Sequence, residues 1–134
     1  MYFQRGQFSV AKARYRSVDL TSRIEGASPH ELVVIMFEEA LKALGAMQAA
    51  MERGDYSRRG ASQSRALAIL HSLDTSLDFE KGGEVARGLS AIYREAHRLV
   101  LAAGRDNDAA PVRQASDMLK EIAEAWTAIG RPQE

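Results

Sequence analysis

An all-α fold is predicted for the 134-residue sequence: an antiparallel up-down-up-down four-helix bundle, preceded by a short N-terminal helix or segment. Three observations predict it. Four stretches carry apolar residues at alternating spacings of three and four, the period of a helix that packs on one side. The breaks between them, marked by Gly, Asp or Pro, are only about five residues long, which folds successive long helices back antiparallel. No stretch alternates apolar and polar residues for long enough to argue for a sheet.

The first long helix has a well-specified start. Ser28 and Glu31 bracket Pro29 and His30 in an S-x-x-E capping box, with proline at the first helical position. Its stripe is Val33, Phe37, Ala40, Leu44, Met47 and Met51, and Gly54 is expected to end it. Asp55 can cap a second helix running to about Leu77, with Leu67, Leu70, Leu73 and Leu77 as its apolar face. The Gly82-Gly83 pair is expected to break the chain before a third helix, whose seam reads Val85, Leu89, Ile92, Ala96, Leu99 and Ala103 and which Gly104 closes. Asp108 is the expected cap of the fourth, where Val112, Ala115, Leu119, Ile122, Trp126 and Ile129 repeat the rhythm and Pro111 is tolerated in the first turn.

Ahead of the bundle, residues 10–24 hold Val10, Tyr15, Val18 and Ile24 at loosely helical spacing, a piece too short to be stable alone. The expected organisation is an N-terminal segment over residues 1–26, the bundle over 27–130 and a tail over 131–134. Residues 2–4, YFQ, resemble the end of a commonly used protease site, so residues 1–6 are kept out of the fold argument.

Composition excludes several function classes. Lys plus Arg and Asp plus Glu are both 18, so no net basic field recruits nucleic acid. The absence of cysteine removes disulfides and thiolate metal sites. No stretch approaches the roughly 18 apolar residues of a membrane span and no signal-peptide pattern is recognised, so a soluble intracellular protein without membrane insertion is expected.

Catalytic and metal motifs fail one by one. His30-Glu31 begins an H-E-x-x-H pattern, but position 34 is Val34. No glutamate has histidine three residues on, as carboxylate-bridged metal bundles require. His71 and His97 stand singly on their helices and read as structural. Asp106-Asn107-Asp108 lacks the glycine and distal glutamate of a calcium loop, and Lys81-Gly82-Gly83 follows no strand and has no phosphate-loop spacing. There is no G-x-S-x-G. No enzyme activity, metal or cofactor is expected.

What remains is apolar surface. Residues 32–37 are six apolar side chains in succession, and at about 3.6 residues per turn they point all around the helix, so one neighbouring surface does not cover them. Leu32, Ile35 and Met36 lie off the first seam, and Tyr93, Val100 and Leu101 off the third. Burying three such side chains is worth on the order of 5–9 kcal/mol before the ordering of a partner offsets much of it. A groove for reversible docking of a helical or extended peptide is the expectation; a homo-oligomer pairing its own stripe, or a regulator binding another helical protein, stays open.

The residues also carry a family resemblance. Between about Tyr15 and Trp126, the ordered series ASPHELVVIMFEEAL, ERGDY, SLDFEKGGEVARGLSAIY, HRLVLA and IAEAW is similar to the flagellar export chaperones of flagellin, the FliS family. Glu38-Glu39 and the stretch from Arg94 to Arg98 depart from the usual family pattern. The resemblance implies a cytosolic four-helix bundle without catalytic activity. It implies one bundle binding the disordered C-terminal segment of one flagellin, preventing premature polymerisation and delivering the subunit to the type III flagellar export gate; a co-chaperone or flagellar regulator as partner belongs to the open alternative of a regulator that binds another helical protein. Tyr15 matches the tyrosine of the family's N-terminal element, with Val18 and Ile24 close by. Together with the apolar surplus, this makes Tyr15, Val18, Ile24, Leu32, Ile35, Met36, Leu73, Leu77, Leu89, Ile92 and Tyr93 the candidate groove.

Overall fold

The structure is a computed structural model and describes residues 19–129; Tyr15 and Val18 lie outside them. The chain divides into two compact units, residues 1–32 and 33–134. In the first, residues 19–25 are helical and end in a turn at Gly26, whose N–H donates to the Ser22 carbonyl at 3.1 Å.

Four long helices follow: α1 over Pro29–Arg53, α2 over Tyr56–Thr75, α3 over Phe79–Asp106 and α4 over Ala110–Ile129. The described residues contain no strand. Local chemistry explains most of the ends. Ser28 Oγ accepts from the Glu31 N–H at 3.1 Å, the first half of the capping box. Gly54, with φ +70°, closes α1 in a Schellman arrangement, its N–H reaching the Met51 carbonyl and the Asp55 N–H reaching that of Ala50. Asp55 then caps α2 through the Arg58 N–H, and Asp108 accepts from the Ala110 N–H at the start of α4.

The ends of α3 differ from the sequence expectation. The helix starts at Phe79, because Asp78 accepts from the Lys81 N–H at 3.0 Å and stops the fraying a glycine pair invites. Gly83, at φ 50° and ψ −125°, interrupts the helix as the glycine pair predicts, so one turn from Phe79 precedes the kink and the long run of α3 follows it. At the other end Asn107, at φ 51°, takes the left-handed cap position expected of Gly104, and the Asp108 N–H completes the closure on the Ala103 carbonyl. Gly104 lies within the helix for a packing reason: a Cβ there would fall 2.4 Å from Gln63 Nε2.

Contacts between α2 and α3 run in opposite directions. Arg59 pairs with Asn107, Gln63 with the Val100 carbonyl, and Asp74 with Ser90, so α2 and α3 are antiparallel. Glu39 meets Arg65 across α1 and α2, and Leu41, Gly45 and Gln48 of α1 line one surface pocket with Arg113, Ser116, Asp117 and Lys120 of α4. The backbones approach most closely between α2 and α3 and between α3 and α4. Ala66, Ala96, Ala103 and Ala115 are fully buried on these helices, and α1 brings larger side chains, Phe37, Leu44 and Met47, into the same core. Small residues allow close approach, and large ones fill what is left.

Candidate functional site

At one end of the bundle the start of α1, the end of α2, the start of α3 and the end of α4 enclose a cavity of about 350 Å³. Its floor is set by the core: Phe37 and Tyr93 pack with ring centroids 6.3 Å apart and planes tilted by 45°. Val33, Leu77, Leu89 and Trp126 make the apolar walls, and Asp78 and Lys81 stand among them where α3 begins. Each of the four walls is half-buried, so each shows apolar surface that the bundle leaves unused. Val85 is 72% exposed and lines the same cavity, contrary to its expected place on the seam. The reason is local: the buried positions after the kink are Ala86, Ser90 and Tyr93, one residue further on than the expected Val85, Leu89 and Ile92.

Beside this cavity and sharing Tyr93 with it lies a polar one of about 250 Å³, lined by Leu70, His71, Asp74, Arg94 and His97. Asp74 organises it. One carboxylate oxygen accepts from Ser90 Oγ at 2.5 Å and the other from Arg94 Nε at 3.4 Å, which satisfies a buried hydroxyl and balances the charge. Burial, and secondarily the Asp74 charge, push the Tyr93 phenol up to about 12. His71 and His97, read singly from the sequence, thus line one pocket, but the described residues hold no group of three side chains suited to a metal ion.

The structure brings Leu73, Leu77, Leu89 and Tyr93 of the candidate groove together around the apolar cavity. Leu73 and Tyr93 are walls seen from inside, at 1% and 3% exposure, and Val100 is fully buried as well, so neither Tyr93 nor Val100 belongs to a surplus off the seam. The close approach of α2 and α3 draws this flank of α3 into the core. Ile35 is likewise buried, Met36 and Ile92 are half-buried, and Leu101 is exposed. Ile24 and Leu32 are exposed within the first unit. Val33, Phe37, Val85 and Trp126, seam positions by their spacing and outside the candidate groove, all line the cavity. No signal in the sequence marks them, because all four keep the helical spacing of a buried seam.

No described helix is long and apolar enough to cross a membrane. Comparison with known proteins finds that the family described as "Flagellar protein FliS" matches residues 11–133. The flagellar secretion chaperone FliS of Salmonella typhimurium is 38% identical over 116 residues, covering 86% of each chain. The flagellar secretion chaperone FliSB of Pseudomonas aeruginosa is 29% identical over 119 residues, 89% of this chain and 94% of its own. The FliS chaperone of Vibrio cholerae is 30% identical over 115 residues, 86% and 85% of the two chains.

Proposed function

The chain belongs to the FliS family of flagellar secretion chaperones, and we propose that it binds the disordered C-terminal segment of flagellin in the bacterial cytosol. The family is one of chaperones, and the chain is not an enzyme. On this reading one bundle holds one flagellin, keeps it from polymerising prematurely and hands it to the type III flagellar export gate.

The observation that carries the reading is the apolar cavity at the bundle end, with half-buried Leu77, Leu89 and Trp126 as walls and exposed Val85 at its side. Its volume sits at the low end of the roughly 300–1,000 Å³ of ligand pockets, a size suited to a few apolar side chains of a longer peptide rather than to a whole cofactor. An amphipathic segment would bury its apolar face there and order itself as it binds, recognition of a helix in a groove coupled to folding. Because ordering the guest offsets much of the burial energy, binding is reversible, and passive release at the export gate needs no nucleotide.

Titration with a flagellin C-terminal peptide tests the proposal. Saturable binding that is lost when the peptide's apolar residues are replaced by serine supports it; no saturable binding, or equal binding of the serine peptide, contradicts it. Tyr15→Ala is expected to change the affinity and leave thermal melting nearly intact.

A further inference from the structure

Gly83 departs from helical backbone values inside α3, with φ 50° and ψ −125°. An L side chain rarely enters that region. A methyl group built on Gly83 would meet nothing within 4 Å, so glycine is required there for its backbone freedom and not for space. Its neighbour is required for the opposite reason: a Cβ on Gly82 would lie 2.8 Å from the Cβ of Ala86.

Both sides of the kink face the apolar cavity. Asp78, Lys81 and Gly82 line it from the turn before the kink, and Val85, Ala86 and Leu89 from the helix after it. The angle between the two pieces therefore sets how far apart these walls stand. We infer that Gly83 is a positioning residue: its glycine-only conformation orients the first turn of α3 and so sets the aperture of the cavity through which a client's apolar side chains enter. The inference rests on the reading of this cavity as the client site, and it adds the device that shapes it. An L residue at position 83 favours a continuous helix, because helical values are the nearest unstrained alternative within the same element. The first turn then swings, and the walls on either side of the kink change their spacing.

The experiment uses the full chain and two readouts. Trp126 is the single tryptophan and lines the cavity, so its emission maximum and acrylamide quenching report the aperture in the free protein. Titration with a flagellin C-terminal peptide reports client binding. Gly83→Ala is expected to shift the Trp126 signal and to weaken the peptide by roughly tenfold or more, with circular dichroism unchanged. Gly88→Ala, an exposed glycine of the same helix with open space around it and no positive φ, is expected to match the parent in both readouts. If Gly83→Ala does not fold, Gly82→Ala carries the test, since its clash with Ala86 displaces the same turn. A folded variant at 83 or 82 with the parent's Trp126 signal overturns the inference, as does a response shared equally by Gly88→Ala. Val85→Glu separates the two claims. If it abolishes peptide binding while Gly83→Ala does not, the client site stands and the role of Gly83 falls; if it leaves binding untouched, the client site falls and the Trp126 signal alone decides the role of Gly83.

Discussion

Tyr93 joins the two cavities, and its ionisation gives a direct test of the residue-level packing. Its pKa is raised from 10.0 to about 12, so above pH 10 the unfolded chain gives up this proton more readily than the folded one. The unfolded state then binds fewer protons, and stability falls as pH rises from about 10 towards 12, with no contribution at lower pH. A shift of this size corresponds to a loss of about 2–3 kcal/mol across that interval. Urea unfolding at pH 8, 10 and 11.5 should show this extra loss in the parent and not in Tyr93→Phe. Gly104 offers a contrasting case. A Cβ there would collide with the amide end of Gln63, a flexible group that can swing away, so the cost is the hydrogen bond to the Val100 carbonyl, about 0.5–1.5 kcal/mol. Helix propensity returns about 1 kcal/mol for Gly to Ala. Gly104→Ala should therefore stay within about 1 kcal/mol of the parent by urea unfolding. A larger loss would show that the close approach of α2 and α3 has no slack at this point.

Helix ends are governed by single polar atoms, and these were the most legible elements in the sequence. Ser28, Asp55 and Asp108 accept backbone N–H groups as their positions implied, and Gly54 takes the left-handed turn. Asp55→Ala should cost about 1 kcal/mol, read as a lower thermal midpoint with unchanged helix content. The seams of α1 and α2, and that of α4 as far as Trp126, were legible because their large apolar residues keep a regular period; Ile129, the last expected position of α4, is 75% exposed. The seam of α3 was not, for two reasons visible in particular residues. Ala86 takes the buried position next to Val85, a small residue that a search for large apolar side chains passes over. Ser90 occupies a buried position that an apolar pattern passes over, and only the Asp74 carboxylate on the facing helix makes that position tolerable. Asn107 is the end of α3 although the nearby glycine is the stronger sequence signal; Gly104 instead lies inside the helix against the amide end of Gln63.

On the scale of the whole molecule, 18 basic and 18 acidic residues leave no net charge to steer a charged partner, and the ion pairs of Arg58, Arg94 and Arg98 keep their guanidinium groups at the surface. Such pairs contribute roughly 0–1 kcal/mol each, so stability and client binding should change little between 50 mM and 500 mM salt if apolar burial is the driving force. The candidate site was only half legible, since a sequence reveals which side chains are apolar but not where four helix ends fall short of covering one another. Leu77 and Leu89 were chosen for their place on a helix face, whereas Trp126 and Val85 become walls only when α4 ends beside the kink in α3. Whether apolar surface left over at the bundle end shelters a flagellin segment is decided by calorimetric titration of that segment at several temperatures. Burial of apolar surface predicts a saturable one-to-one isotherm whose enthalpy becomes more negative as temperature rises, a negative heat-capacity change, abolished by Val85→Glu. An isotherm that fails to saturate, or a heat capacity of binding near zero that Val85→Glu leaves unaltered, would contradict it.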